Sequence, residues 1–178
     1  MGTPRAGEVG QGRSRLGHAS AGGSHIGRPC HTGVLKRHPL TLEQTRALIP
    51  QMPFNHHLGF HVARMYKDGL TMECTARPEM TNGHGTLHGG VTAALIDAAI
   101  GVAVIALAGG RPAGTVEMKV NYLRPGRDDK FHCRSRVLKM GRTLVFAEAV
   151  VRDGRGRVVA TGQATYIYLE ESAANWSW

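Results

Sequence analysis

The chain reads as an α+β protein, an antiparallel sheet with one long helix on one face and a short helix ahead of it. Two observations carry this. The hydrophobic period alternates, turns helical over residues 89–108, then alternates again to residue 169. The alternating segments are separated by short turn signals, which imply antiparallel neighbours. A third observation places the helix: it is apolar nearly all round, so it must be buried against the sheet and a partner.

The elements follow in order. Thr41 suits an N-cap, which predicts a short helix over residues 42–51 that Pro50 and Pro53 end. Residues 59–66 and 70–76 alternate and flank Lys67-Asp68-Gly69, the signature of a hairpin. Residues 78–87 form a loop rich in Gly, Asn and Thr. The long helix stops at Gly109-Gly110 and Pro112. Four strands are expected after it, over 115–123, 131–140, 143–152 and 158–169, divided by Arg124-Pro125-Gly126, Gly141 and the turn 153–156.

Charge and composition divide the chain further. The net charge of +9 is uneven, because residues 1–38 hold Arg5, Arg13, Arg15, Arg28, Lys36 and Arg37 against Glu8 alone. This stretch is rich in Gly and Ser and lacks an apolar period, so it is expected to be a disordered basic leader. It has no apolar core for a secretory signal. A mitochondrial presequence fits its Arg content but not its glycines, and a true start near Val34 is an equal reading. Residues 39–170 are the folded domain, and 171–178 a flexible tail. The longest apolar run, 91–108, is interrupted by Thr92 and Asp97, so no membrane span is expected. Cys30, Cys74 and Cys133 are too few and too widely spaced for a disulfide framework or a metal knuckle, which suggests reduced thiols in the cytoplasm.

The chemistry concentrates in Asn82-Gly-His-Gly-Thr-Leu-His88-Gly89-Gly90-Val-Thr-Ala-Ala-Leu-Ile-Asp97. A glycine-rich loop runs into a helix start, where backbone N–H groups are unpaired and the dipole is positive. Such a place can hold an oxyanion, and glycine lets a substrate approach the backbone. Asp97 is a lone carboxylate among Ala, Leu and Ile, so it needs a partner, a proton or a cleft. Gly89 and Asp97 lie about 12 Å apart along a straight helix rising about 1.5 Å per residue. Reacting atoms must come within about 3 Å, so the two cannot serve one substrate in one subunit. Two such helices antiparallel about a two-fold would bring Gly89 of one to Asp97 of the other. Ala93, Ala94, Ala98 and Gly101 would permit that approach, which predicts a dimer with two composite sites.

This pattern, Asn82, His88-Gly89-Gly90 and Asp97 before a small-residue helix, resembles the PaaI-like acyl-CoA thioesterases of the hotdog superfamily. The resemblance extends through Val116-Glu-Met-Lys-Val-Asn-Tyr-Leu-Arg-Pro125 and Lys139-Met-Gly-Arg-Thr143 and covers roughly residues 53–169. It implies a hotdog fold, with the sheet wrapped around the long helix, and hydrolysis of an acyl-CoA to free acid and CoA. Asp97 would be the nucleophile or general base, and the Gly89 N–H the oxyanion donor. Asn82 would orient the lytic water or the carboxylate, His88 would fix the loop and the thioester, and Thr115 would contact the site from the subunit that supplies Asp97. Arg124, Lys139 and Arg142, with Gly90 and Thr143, would bind substrate, the cations meeting CoA phosphates. The family also implies a dimer of dimers, a homotetramer. No separate cofactor is implied, since CoA belongs to the substrate.

Other features point elsewhere less strongly. His56, His57, His61 and His84 lack metal-ligand spacing, so no metal is expected, and His57 is placed near the acyl pocket. A hotdog hydratase or dehydratase and a non-catalytic acyl-CoA binder are the alternatives; the His88-Gly89-Gly90 to Asp97 arrangement favours hydrolysis over the first, and activity on an enoyl-CoA separates them. Nucleic-acid binding is not expected, because the basic leader lacks interleaved aromatics and the strands carry no RNA-binding signature. The acyl group is left open.

Overall fold

The computed structural model describes residues 38–169 and the single residue Gly2. The leader and tail expected at 1–38 and 171–178 therefore lie almost wholly outside the described residues. Thr41 caps α1 (Leu42–Arg46) with a complete capping box, its hydroxyl accepting from the Gln44 N–H while the Gln44 side chain accepts from the Thr41 N–H. The expected ten-residue helix does not form. A 3-10 turn (Ile49–Gln51) and then α2 (Pro53–His57) replace its second half. Pro53 begins a helix rather than ending one, because the first helical turn needs no proline N–H.

The hairpin appears as β1 (His61–Tyr66) and β2 (Gly69–Thr75). A 3-10 turn (Pro78–Met80) leads to the glycine-rich loop and then α3 (Gly89–Leu107). The helix ends in a Schellman cap: Gly110 N–H donates to the Ile105 carbonyl (2.9 Å) and Gly109 N–H to the Ala106 carbonyl (3.2 Å), both glycines at positive φ. The remaining strands are β3 (Ala113–Tyr122), β4 (Lys130–Met140), β5 (Leu144–Asp153) and β6 (Val158–Tyr168).

All six strands form one antiparallel sheet in the order β1-β2-β4-β5-β6-β3. The sheet curls around α3, whose Leu95, Ile96, Ile100, Ala103 and Val104 are fully buried. They pack on Leu70, Met72, Phe131, Val145 and Val151 from the inner sheet face, the layout expected of a hotdog fold. By length and composition α3 could cross a membrane, against the sequence expectation, but over half of it is buried inside the domain. The edge strand β3 is open: Val116 and Tyr122, with Leu123 just after the strand, are each more than half exposed.

Four register shifts interrupt the ladder, and one matters for the site. Between Thr115 and Glu117 the pairing with β6 slips by one residue at Val116. A bulge reverses which residues face inward. Thr115 is thereby paired with Tyr166, and both side chains reach α3.

Candidate functional site

At its N-terminus α3 is held by its own loop. His88 is the N-cap, and its Nδ1 accepts from the Gly90 N–H at 2.9 Å. That bond leaves the ring proton on Nε2 and removes one orphan donor of the first turn. The Gly89 N–H donates to no group among the described residues. Asn82 shapes the approach. Its Oδ1 accepts from the backbone N–H groups of His84 and Thr86, and its Nδ2 donates to the Thr86 hydroxyl at 2.9 Å. Asn82 therefore spends its side chain on the loop that presents Gly89.

Tyr122, at the far end of β3, covers this helix start, its hydroxyl donating to the Gly89 carbonyl at 2.9 Å. Gly89, Asn82, Tyr122 and Arg124 share a cleft of about 340 Å³ that also includes Leu123 and Val159. Arg124 is anchored there by a 2.7 Å bond to the Val158 carbonyl. Arg124 is an expected site residue and Tyr122 is not; the signal for Tyr122 is an aromatic in phase with the inward-facing Met118 and Val120 of the alternating strand.

Two helical turns on, Asp97 is held by side chains. The Thr115 hydroxyl donates to Oδ1 at 2.8 Å, and the Tyr166 hydroxyl lies 2.6 Å from the same oxygen and 2.8 Å from the Asp97 carbonyl. Oδ2 has no partner among the described residues. Since no buried side-chain oxygen lacks a partner there, Oδ2 is open to solvent. Tyr166 itself is 2% exposed. Burial, then the Asp97 charge and the hydrogen bond to it, push its phenol far above the ordinary range, so it stays a protonated donor.

The structure sorts the expected site residues into two groups. Asn82, His88, Gly89, Gly90 and Arg124 lie at the helix start; Asp97 and Thr115 lie at the second position and outside the cleft. Lys139, Arg142 and Thr143 sit at the β4–β5 turn on the Asp97 side. There Arg111 stacks on the Tyr168 ring (4.1 Å) and donates to the Arg142 carbonyl (3.2 Å). Arg142 and Thr143 are exposed, with no side-chain bond among the described residues. Two of the residues expected to admit a partner helix work within the chain instead. Ala98 is 5% exposed, and a Cβ at Gly101 would meet the Tyr166 hydroxyl at 3.1 Å. His57 lies exposed at the end of α2, its carbonyl accepting from Arg77, while His61 and His132 both pair with Glu73 on the sheet.

A carboxylate with one bound and one open oxygen, and a free N–H at a glycine-lined helix start, are the parts thioester hydrolysis needs. Comparisons with known proteins bear on the family. Residues 84–160 match the family model described as the thioesterase superfamily. The chain is 29% identical over 149 residues to the medium/long-chain acyl-CoA thioesterase YigI of Escherichia coli, covering 72% of this chain and 96% of that one. It is 33% identical over 98 residues to mouse acyl-coenzyme A thioesterase 13, covering 54% of this chain and 70% of that one. The structure of the Escherichia coli PaaI protein superposes with a TM-score of 0.63 over 73% of this chain and 97% of that one; at 19% identity the likeness concerns the fold. On the fold and these relatives, the chain belongs to the thioesterase superfamily and is a thioester hydrolase of the hotdog fold.

Proposed function

We propose that this protein hydrolyses acyl-CoA in composite sites across a two-fold homodimer, Gly89 coming from one protomer and Asp97 from the other. The observation that carries this is the division of the parts: the open Oδ2 of Asp97 and the free N–H of Gly89 lie two helical turns apart on one rigid helix. The uncovered stripe of α3 at Gly90, Ala93, Ala94 and Asp97 and the exposed edge of β3 support the pairing. A long unpaired edge strand is a template for joining a second sheet.

In this reading the thioester carbonyl oxygen points at the Gly89 N–H, where backbone and helix dipole stabilise the developing oxyanion. Asp97 either takes a proton from the attacking water on Oδ2 or attacks the carbonyl carbon through Oδ2. Collapse breaks the C–S bond and CoA leaves as thiolate, which takes up the proton that water gives up. After direct attack a water first hydrolyses the acyl-Asp97 anhydride, freeing the acid and restoring the carboxylate. His88 and Asn82 act by holding the loop. Arg124 from the Gly89 side, and Arg142 with Lys139 and Thr143 from the Asp97 side, meet the CoA phosphates.

The name of the Escherichia coli relative makes medium- and long-chain acyl groups the first to try, beside aryl-acetyl and short ones. The exposed Leu144, Phe146 and Ile167 on the outer sheet face support pairing of dimers into a tetramer. The free, buried Cys74 and Cys133 suit a reducing cytoplasm. Thiol release from a panel of acyl-CoAs tests the reading, with an enoyl-CoA beside it. Release that is lost in Asp97→Asn is expected; hydration of the enoyl-CoA without thiol release would instead favour a hydratase.

A further inference from the structure

Asp97, Gly101 and Tyr166 form a unit that the motif around Gly89 does not contain. Gly101 stands one turn after Asp97 in a helix otherwise built of Ala, Val, Ile and Leu. A mid-helix glycine costs about 0.5–1 kcal/mol relative to alanine, so its presence asks for a reason. The space it leaves supplies one. A Cβ there would lie 3.1 Å from the Tyr166 hydroxyl and 3.2 Å from its ring, closer than side chains ordinarily pack. The ring enters over Gly101, and its hydroxyl arrives between the Asp97 carboxylate and the Asp97 carbonyl.

The phenol has one proton and two acceptors within reach, at 2.6 and 2.8 Å. We propose that Tyr166 is a positioning residue that, with Thr115, commits Oδ1 of Asp97 to hydrogen bonding and so dedicates Oδ2 to the reaction. Gly101 is the vacancy that admits it. While Asp97 is a carboxylate, the phenolic proton points to Oδ1. When Oδ2 takes up a proton from water, or a bond to the acyl carbon, Oδ1 loses most of its negative charge. The phenolic proton then turns to the Asp97 carbonyl without any heavy atom moving. The carboxylate keeps one orientation through the cycle, and no proton leaves the phenol. This inference rests on the proposed role of Asp97.

The test uses the full chain with the acyl-CoA that wild type turns over best, and compares Tyr166→Phe, Gly101→Ala and Asp97→Asn. Tyr166→Phe keeps the ring and removes only the donor. The expected result is a kcat lower by about 10- to 100-fold with KM within about threefold of wild type. The melting temperature and the oligomer size stay those of wild type. Gly101→Ala should reproduce the kcat loss by displacing the hydroxyl. Wild-type kcat in Tyr166→Phe beside an inactive Asp97→Asn overturns this inference and leaves the role of Asp97 standing. A kcat loss that appears only with a matching fall in melting temperature also overturns it. Full turnover by Asp97→Asn overturns both.

Discussion

The two candidate positions on α3 are held by opposite means. At Gly89 the chain uses side chains to arrange backbone: His88 takes the Gly90 N–H, Asn82 closes the loop, and Tyr122 takes the Gly89 carbonyl, while the Gly89 N–H is left over. At Asp97 it uses hydroxyls to arrange a carboxylate: Thr115 and Tyr166 take Oδ1, while Oδ2 is left over. Each position satisfies everything around one polar group and spares that group. The difference is in what is spared, a donor at one end and an acceptor two turns on, which the proposed reaction would use together. Neither is sufficient alone, and a straight helix keeps them apart.

Breaking either half separately tests this symmetry. Gly89→Pro is expected to have the largest effect, a loss of about 10²- to 10³-fold in kcat, the usual cost of an oxyanion donor. The fold should survive it. Gly89 is the first helical residue, where proline is at home, and His88 has φ −62° and ψ 136°, an extended conformation suited to preceding a proline. Circular dichroism and melting temperature like those of wild type check this. Asp97→Asn is expected to cost about 10²-fold or more in kcat, again with the fold kept.

Smaller effects sharpen the comparison. Arg124→Ala and Arg142→Ala touch opposite sides, and each is expected to raise KM by about three- to tenfold with little change in kcat. Steady-state kinetics on full-length CoA and on a truncated thioester without the phosphates would check it: the truncated substrate should erase both differences.

Asp153 supplies a contrast without an effect on turnover. Its Oδ1 accepts from the Arg155 and Arg157 N–H groups and its Oδ2 from the Arg157 guanidinium, so neither oxygen is spared. Burial alone would raise its carboxyl, but these bonds outweigh it and hold it below the ordinary 3.8. A lowered carboxyl contributes stability above its ordinary value and loses it as pH falls through the lowered one. Asp153→Asn should therefore lower the melting temperature at neutral pH and flatten its fall in strong acid. Its kcat, measured at a temperature where the variant is folded, should be that of wild type.

Much of this arrangement was legible from the chain because it is local. The spacing of Asn82, His88, Gly89 and Asp97 lies within one loop and one helix, and the period changes at residues 89 and 115 marked the elements within one or two residues. Tyr166 was not legible, because it lies 69 residues after Asp97 and reaches it only through the β3–β6 register and the bulge at Val116. Gly101 was visible but was assigned to a partner helix, since spacing cannot tell which ring fills the gap. The early helix departs from its sequence expectation for a nearer reason: Pro50 and Pro53 can stop a helix, but each sits in the first turn of a new short one.

The composite site is tested most directly by mixing its broken halves. Gly89→Pro and Asp97→Asn chains, co-expressed with different tags and purified as hetero-oligomers, should each be inactive alone. In a mixed dimer one site would carry both substitutions and the other neither, so purified mixed dimers should regain about half of wild-type turnover. No recovery from hetero-oligomers shown to contain both chains would contradict the account, and would return both Gly89 and Asp97 to separate roles within one protomer.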